Sequence, residues 1–252
     1  MAGSSNDFSP DDRPSVWLCH QTDGPEIAHP AWLTDYERET VGKFSGPRER
    51  EYLSSRWLIR QAIGKSAMVP PNHCCPVAGR PNASGTPEGW RLSLSHSQGL
   101  SACATRADSP IGLDLEPCQR HAQWQKVVKR WFSPVEQEWL FREDDSNTFL
   151  KVWTLKEAWL KATGRGIAGN LQTLEVRKNF EIYGDQPEQD WQAACCYIEG
   201  YLVTVVFRGS RPVWPEITLL EPPPHDFSMV DAEPIEASWE PLFQRTIRCK
   251  TP

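Results

Sequence analysis

The sequence predicts an α+β fold of two similar α/β halves, related by pseudo-twofold symmetry, with the active site in the cleft between them. An internal repeat is the first observation, because FSGPREREYL at 44–53 resembles FSPVEQEWL at 132–140. Each copy leads into a basic amphipathic helix, SSRWLIRQAIG in one half and WTLKEAWLKATG in the other. Each helix is then followed by short strand-like segments. Duplicated units commonly bind their ligand between them, which predicts the cleft.

Shifts in composition along the chain predict four segments. Residues 1–14 are polar and acidic and are expected to be a disordered tail. The N-terminal half is predicted to span 15–118 and the C-terminal half 119–220. Residues 221–252 form a proline-rich C-terminal extension that is expected to contain few strands.

Turn residues separate the predicted strands within each half. In the first half, RLSLSHS, LSACATR and IGLDLE are expected to form an antiparallel meander. In the second half, TLEV, FEIY, WQAACCYI and YLVTVVF are strand-like, with Glu199-Gly200 as a hairpin turn. In both copies of the repeat a proline closely follows the serine, which is typical of the start of a helix.

Composition narrows the class of protein. The chain has 252 residues, 39% of them hydrophobic, and a net charge of −6. No apolar run reaches the roughly 18 residues of a membrane span, and the start of the chain lacks the pattern of a signal peptide, so a cytoplasmic protein is predicted. The negative charge argues against bulk binding of nucleic acid.

The eight cysteines form no CxxC pair and are interpreted as reduced thiols, most of them in the core.

The segment IGLDLE carries two acidic residues on one face of a predicted strand. Alternation places Ile111, Leu113 and Leu115 toward the core and Asp114 and Glu116 on the opposite face, beside a small glycine. The Cα atoms of the two acids would be about 6–7 Å apart, so one hard cation could contact both carboxylates. The same pattern also fits a solvated strand face.

The helix predicted around 149–163 has a packing stripe and a polar face. Val152, Leu155, Trp159 and Ala162 recur at helical spacing and are expected to be buried. On a neighbouring face lie the acid Glu157 and the bases Lys156 and Lys161, of which Glu157 and Lys161 form an i, i+4 pair. Such a pair fits a stabilising ion pair as well as a catalytic group. The Gly164-Arg165-Gly166 end of the helix would allow a ligand to approach the backbone closely.

Several basic residues are candidates for binding an anion. His96 follows Ser95 at the end of a predicted strand, and Arg80 lies in a tight loop. Arg56 and Arg60 share one helix face at i, i+4. Arginine suits phosphate because its planar guanidinium can bind two oxygens at once. Each of these residues, considered singly, also fits an ordinary structural or surface role.

Three separated motifs together resemble the signature of the 4′-phosphopantetheinyl transferase superfamily. They are IGLDLE, WFSPVE and WTLKEAWLKATGRG, in this order. The longer, pseudo-dimeric type, which includes the surfactin-synthetase activator, is the most similar. GRP, LSLSHS and YLSSRWLIR also match, with Arg80 where the family often has lysine. The resemblance covers roughly residues 30–210 and leaves out both termini.

The resemblance implies a role for each matching residue. Asp114, Glu116 and Glu157 would bind Mg²⁺, with Mn²⁺ as an alternative, beside the pyrophosphate of coenzyme A. Lys161 would contact the phosphates and the leaving group, and Glu157 could also accept the proton of the attacking serine. Glu136 is the acid of the central motif and is included among the catalytic candidates.

The nucleotide end of coenzyme A has its own predicted contacts. The residues that would hold the adenosine 3′-phosphate are Arg56, Arg80, Ser95 and His96. A polyanionic substrate and attack by a hydroxyl on phosphorus require positioning and charge neutralisation, which these residue types can supply.

The predicted function is therefore that of a monomeric 4′-phosphopantetheinyl transferase. It would transfer 4′-phosphopantetheine from coenzyme A to a serine of an apo acyl- or peptidyl-carrier protein and release 3′,5′-ADP. Such carriers serve fatty-acid, polyketide or nonribosomal-peptide synthesis. One alternative is a Mg²⁺-dependent hydrolase of nucleotide pyrophosphates. The other is an inactive relative that only binds coenzyme A or carrier proteins.

Overall fold

The computed structural model describes residues 13–24, 28–79, 81–119, 123–186 and 190–250. Its helices are α1 (Asp35–Val41), α2 (Pro47–Ala67), α3 (Trp124–Trp131), α4 (Pro134–Glu143) and α5 (Ser146–Ala162). Its strands are β1 (Ser15–His20), β2 (Cys75–Pro76), β3 (Ser84–Thr86), β4 (Trp90–Ser97), β5 (Leu100–Ala107), β6 (Ile111–Pro117), β7 (Leu174–Arg177), β8 (Glu181–Gly184), β9 (Trp191–Ile198), β10 (Tyr201–Arg208), β11 (Glu216–Leu220), β12 (Pro234–Ile235) and β13 (Trp239–Cys249). The predicted α+β class is confirmed.

The strands form two main sheets and one small ribbon. Sheet A has the order β12-β11-β1-β5-β4, and sheet C has the order β6-β10-β9-β13-β8-β7. The ribbon pairs β2 with β3. Each main sheet contains a hairpin with a two-residue turn, β4–β5 in sheet A and β9–β10 in sheet C. Both turns place a non-glycine residue and then a glycine at positive φ, with values of 43° and 90° at Gln98-Gly99 and 49° and 84° at Glu199-Gly200.

The long helices and the two main sheets form four layers in the order α2, sheet A, sheet C and α5. Alternate side chains of each strand face the two neighbouring layers. One set of alternate residues fills the space between the sheets, including Leu18, Ala102 and Leu113. The other set on sheet A packs against α2, as Cys103 does. The other set on sheet C packs against α5, as Val206 does. The central strands β5 and β10 are buried on both faces, and their sequences are therefore apolar or small at nearly every position.

The prediction of a three-stranded meander in the first half is wrong in its third strand. β4 and β5 form the expected hairpin, but β6 pairs antiparallel with β10 in the other sheet. The turn at 108–110 therefore carries the chain from sheet A to sheet C. As a result, the edge strand β4 of sheet A lies beside the edge strand β6 of sheet C.

The expectation of few strands after residue 220 is also wrong. Residues 222–232 pack on α2, where Phe227 is fully buried and the Trp57 indole donates to the carbonyl of Ser228 at 3.2 Å. The chain then forms β13, which lies between β9 and β8. A register shift between Pro241 and Phe243 interrupts the alternation of β13, which is why its pattern does not indicate a strand. β11, which the predicted boundary assigns to the C-terminal half, pairs parallel with β1 of sheet A.

Packing of β13 is expected to contribute strongly to stability. Phe243→Ala should reduce the free energy of unfolding by about 3–5 kcal/mol, because the ring is buried and packs against the tilted ring of Phe180 with centroids 4.7 Å apart. The control is Arg245→Ala, an exposed residue two positions further along the same strand, for which a change within about 0.5 kcal/mol is expected. Urea unfolding monitored by circular dichroism measures both values. Equal values for the two variants would contradict the assignment of β13 to the sheet.

Candidate active site

Gly112 allows α5 to lie directly on β6. A Cβ atom built on Gly112 would be 1.9 Å from the carbonyl oxygen of Ala158 and 2.4 Å from the amide nitrogen of Ala162. Any larger residue would displace the helix. The space beside the glycine, which the sequence suggests as room for an ion, is therefore filled by α5. The ion-binding candidates lie further along the same face of β6, at the C-terminal end of that helix.

Asp114 lies at the junction of β6, β4 and α5. Its Oδ1 accepts hydrogen bonds from the Ser95 hydroxyl at 3.0 Å and from the Lys161 ammonium at 2.9 Å. Its Oδ2 is buried and has no hydrogen-bond partner. Burial raises the pKa of the Asp114 carboxyl and the nearby Glu116 raises it further, while Lys161 and Ser95 oppose this shift. An orphaned, buried carboxylate oxygen next to a second acid is a favourable position for a cation.

Glu116 is the second buried acid on this face of β6. Its Oε2 accepts a hydrogen bond from the Ser97 hydroxyl at 3.2 Å. The third predicted acid, Glu157, is half-buried on α5. Within the described ranges, no three Asp, Glu, His or Cys side chains are gathered into one cluster suited to a metal ion. The structure thus places Asp114 and Glu116 next to each other on β6, but Glu157 does not form a three-residue cluster with them.

Lys161 links three elements of the site. Its ammonium donates to the hydroxyl of Ser95 at 3.1 Å as well as to Asp114, and 19% of its side chain is exposed. The predicted packing stripe of the same helix is confirmed, since Val152, Leu155 and Trp159 are fully buried. Because these residues fix α5 against the core, Lys161 at the end of the helix faces Asp114 of β6.

Lys156, the other base of this helix, lies in the core. Its ammonium is 2.7 Å from Oε1 of Glu136, and both side chains are fully buried. It also donates to the carbonyls of Leu171 and Leu174 and lies over the ring of Phe132. Burial lowers the pKa of Lys156, while Glu136 opposes that shift.

Glu136 was a catalytic candidate from its motif, and the structure does not bring it to Asp114. Its carboxylate accepts hydrogen bonds from the backbone of Ser133 and of Val176, each at 2.9 Å. The first of these completes the capping box at the start of α4. Because its side chain has no exposed surface, Glu136 is not placed to touch a substrate arriving from solution.

Removal of one member of the buried pair should destabilise the protein. Glu136→Gln leaves the Lys156 charge without its counterion, and a loss of about 3–5 kcal/mol in the free energy of unfolding is expected. The control is Glu138→Gln on the same helix, whose carboxylate is 71% exposed and pairs with Arg142. That change should cost at most about 1 kcal/mol. Thermal and chemical unfolding measure the stability of the two variants. A Glu136→Gln protein as stable as the wild type would contradict a stabilising role for the Glu136–Lys156 pair.

Arg56 and Arg60 of α2 share one buried acid, Glu37. Arg60 donates to both carboxylate oxygens of Glu37, at 3.2 Å and 2.6 Å, and is 1% exposed. Burial would raise the pKa of Glu37, but these contacts lower it overall. Arg56 is 9% exposed, lies over the Tyr52 ring, and its Nε has no hydrogen-bond partner. Arg60 is thus a structural residue, whereas Arg56 retains capacity for a further contact.

His96 is surrounded by charges. Its Nδ1 is 3.4 Å from Oε1 of Glu51, which also accepts from Arg48. Burial lowers the pKa of His96; Glu51 opposes this, while Arg48, Lys161 and Arg56 lower it further. The structure therefore gathers His96 with three cations.

The sequence did not single out Arg48 or Glu51. They lie eight and five residues before Arg56 on α2, and their i, i+3 spacing, which is typical of an ion pair on a helix, is the signal that could have indicated them. Arg80, the remaining predicted phosphate contact, lies outside the described residues.

A cavity of about 200 Å³ lies beside Lys161. Its lining includes Asn82, Ser93, Leu160, Lys161 and Arg165, so it lies between β4 and the end of α5. The Gly164-Arg165 turn contributes to its wall, and Gly164 has a positive φ of 70°. The turn after the helix, where a ligand is expected to approach the backbone, therefore borders a cavity.

Comparison with known proteins identifies the family of this site. The model of the 4′-phosphopantetheinyl transferase superfamily matches residues 110–206, which include β6, α4 and α5. A 4′-phosphopantetheinyl transferase of Bacillus subtilis is 31% identical over 161 residues, covering 61% of this chain and 70% of that protein. The chain belongs to the 4′-phosphopantetheinyl transferase superfamily.

Two further members of the superfamily are similar to it. The 4′-phosphopantetheinyl transferase HetI of Nostoc sp. is 33% identical over 158 residues, covering 58% of this chain and 65% of that protein. The human L-aminoadipate-semialdehyde dehydrogenase-phosphopantetheinyl transferase is 25% identical over 210 residues, covering 69% of this chain and 68% of that protein. The chain therefore matches about two thirds of the length of these relatives.

Proposed function

We propose that the protein transfers 4′-phosphopantetheine from coenzyme A to a serine hydroxyl of an apo acyl- or peptidyl-carrier protein. The observation that carries this proposal is the contact of Lys161 with Asp114 and Ser95, which gathers motif residues of a superfamily member at one point. In the reaction the serine oxygen forms a bond to the β-phosphorus of coenzyme A. The bond from that phosphorus to the bridging oxygen breaks, and 3′,5′-ADP leaves.

The acidic residues fit a divalent cation. Mg²⁺ is commonly bound by one or two carboxylates and retains several waters, so Asp114 and Glu116 suffice as a core, with Glu157 as a third ligand. Support comes from the unpartnered Oδ2 of Asp114 and from the ammonium of Lys161, which occupies a cation's position at Oδ1. When bound, Mg²⁺ would neutralise charge on the pyrophosphate and polarise it for attack. Mn²⁺ has the same preference for oxygen ligands.

Charged side chains of the protein carry the remaining steps. Lys161, which is partly exposed beside the cavity, stabilises negative charge as it develops on the departing 3′,5′-ADP. Glu157 accepts the proton of the attacking hydroxyl, directly or through a water molecule. Glu136 acts at a distance as a positioning residue, because its pair with Lys156 ties α4 to the helix that carries Glu157 and Lys161.

The adenosine 3′-phosphate is assigned to the cations around His96. Arg56 of α2 belongs to this set, and Arg80, which lies outside the described residues, is assigned to it by the resemblance. Ser95, which the sequence also suggests here, donates its hydroxyl proton to Asp114, so its hydroxyl serves the acids.

Loss of the 3′-phosphate should weaken binding of the substrate. Because a hydrogen bond to a charged group contributes about 1.5–3 kcal/mol, 3′-dephospho-coenzyme A should bind about one to two orders of magnitude more weakly than coenzyme A. Isothermal titration calorimetry measures both affinities. His96→Gln should reduce the difference between the two compounds, whereas Lys65→Gln on the far end of α2 should leave it unchanged. Equal affinities for the two compounds in the wild-type protein would refute the assignment.

The arrangement of the chain in two related halves is part of this proposal. Each half combines a long helix with a sheet, α2 with sheet A and α5 with sheet C, and each sheet contains a hairpin with an Xaa-Gly turn. These features support two halves, α2 with sheet A and α5 with sheet C, related by pseudo-twofold symmetry, with the active site where β4 meets β6. The sequence boundaries 15–118 and 119–220 follow these halves only in part, because β6 belongs to sheet C and β11 to sheet A, and the segment from 221 onward adds β12 to sheet A and β13 to sheet C.

We propose that the protein acts in the cytoplasm, and a monomeric state is part of the same proposal. All eight cysteines are free thiols, and five of them are buried, which suits a reducing compartment. None of the described helices has both the length and the apolar character of a membrane span.

The acceptor of the phosphopantetheine group distinguishes transfer from hydrolysis. We expect 3′,5′-ADP to form only when coenzyme A, Mg²⁺ and an apo carrier protein are all present, as measured by chromatography of the nucleotide. Formation of 3′,5′-ADP at the same rate without a carrier would instead identify a pyrophosphate hydrolase. Binding of coenzyme A with no product from any carrier of a broad panel would favour a protein that only binds its ligands.

A further inference from the structure

Three serines on one face of β4 connect the two sheets. Ser93, Ser95 and Ser97 occupy alternate positions of this edge strand and face β6, the edge strand of the other sheet. The Ser93 hydroxyl accepts a hydrogen bond from the amide of Leu113 at 2.8 Å. Ser95 and Ser97 instead donate to Asp114 and Glu116, at 3.0 Å and 3.2 Å. The β4 and β6 edges are not paired through their backbones, so these side chains form the polar contact between them.

The hydrogen bonds of Ser95 determine which oxygen of Asp114 is left for a cation. Ser95 donates its only hydroxyl proton to Oδ1 and accepts a hydrogen bond from Lys161. Lys161 also donates to Oδ1, so this oxygen already has two donors. Oδ2 is buried and has none, and Asp114 as a whole is 6% exposed. Ser95 thus holds the carboxylate in the orientation that leaves Oδ2 available.

Ser97 acts on Glu116 in the same way. A glutamate side chain has three rotatable bonds and loses conformational entropy when it is ordered on a ligand. The hydrogen bond from Ser97 to Oε2 restricts that freedom before a ligand arrives. Partners of this kind commonly change metal affinity by about 10–100-fold when they are removed.

We infer that Ser95 and Ser97 are positioning residues, which orient Asp114 and Glu116 for a divalent cation and couple cation binding to the contact between the two sheets. The inference rests on the proposed function, because it assigns the cation to these acids. It differs from the role that the resemblance implies for Ser95 at the 3′-phosphate. Ser95 and Ser97 belong to β4 of sheet A, whereas the acids that they orient, Asp114 and Glu116, belong to β6 of sheet C.

Serine-to-alanine variants of the full chain test this inference by direct binding of Mn²⁺. Each protein is titrated with Mn²⁺ and followed by electron paramagnetic resonance, both alone and with saturating coenzyme A. Ser95→Ala and Ser97→Ala should each weaken Mn²⁺ binding by about 10-fold or more. Ser97→Thr keeps the hydroxyl and should restore most of the affinity.

Ser93→Ala is the matched control, since it changes the same strand and face but no partner of a carboxylate. It leaves the buried amide of Leu113 without an acceptor, so it should lower Tm while its Mn²⁺ affinity stays near that of the wild type. Ser95→Ala should also keep the wild-type preference for coenzyme A over 3′-dephospho-coenzyme A. Loss of that preference would instead place Ser95 at the phosphate.

The inference and the proposed function fail in different ways. Wild-type Mn²⁺ affinity in both Ser95→Ala and Ser97→Ala would overturn the inference, as would a wild-type protein that binds no Mn²⁺ in either condition. If the serines control Mn²⁺ affinity but no carrier protein is ever modified, the inference stands and the proposed transfer fails.

Discussion

Asp114→Asn should reduce the rate of phosphopantetheine transfer by about 10²–10³-fold or more, the largest effect expected of any single isosteric change in this protein. The substitution keeps the shape of the side chain but removes the charge whose buried Oδ2 is available to a cation. Excess Mg²⁺ should not restore activity, because the amide oxygen is a much weaker ligand than a carboxylate. Glu116→Gln should cause a smaller loss, since water can take the place of one ligand.

The fold is expected to survive this substitution. Lys161, the partner of Asp114, is partly exposed and can turn toward solvent when the carboxylate is removed. Asp108→Asn is a suitable control, because Asp108 is an exposed acid in the turn just before β6 and asparagine tolerates its positive φ of 43°. Initial rates of holo-carrier formation, with circular dichroism of each variant, make the comparison. Near-normal activity of a folded Asp114→Asn protein would contradict the role of this acid.

Lys161→Met should cause a loss of similar size, about 10²–10³-fold in turnover. Methionine preserves the length and the packing of the side chain but removes the charge that faces the leaving group. Lys151→Met, ten residues or about three turns earlier on the same helix, should leave turnover close to that of the wild type. Single-turnover rates at saturating coenzyme A separate this effect from weaker substrate binding, and an unchanged single-turnover rate in Lys161→Met would contradict the assignment.

The same variant should also change the dependence of activity on pH. Lys161 lowers the pKa of Asp114, against the larger raising effect of burial. Without Lys161 the pKa of Asp114 rises further, so a higher pH is needed to keep the carboxylate ionised. The acid limb of the pH–rate profile of Lys161→Met should therefore lie at higher pH than that of the wild type.

Features that depend on local periodicity could be predicted from the sequence. The buried stripe of α5 and the alternation of Ile111, Leu113 and Leu115 are confirmed, because each needs only a short pattern and one apolar environment. The Glu199-Gly200 hairpin is confirmed as well, since the turn chemistry specifies it locally.

Features that depend on distant partners could not be predicted in this way. An alternating pattern does not specify which strand is the neighbour, so β6 was expected beside β5 and lies beside β10. β13 could not be predicted for the same reason, because its neighbours β8 and β9 are far from it in the sequence and the chain first crosses α2.

At the candidate site, spacing indicated residue types but not burial. Glu136 and Arg60 fit their motifs, yet both are buried in ion pairs of the core. Ser97 carried no signal of its own except that it alternates with Ser95 on β4.

The most direct measurement is the intact mass of an apo carrier domain after incubation with the protein, Mg²⁺ and coenzyme A. The carrier should gain the mass of one phosphopantetheine group, with an equal amount of 3′,5′-ADP released, and a carrier whose acceptor serine is replaced by alanine should gain nothing. Lys161→Met and Asp114→Asn should leave the apo mass unchanged over the same interval. Cleavage of coenzyme A while every carrier of a broad panel keeps its apo mass would contradict transfer as the function of this site.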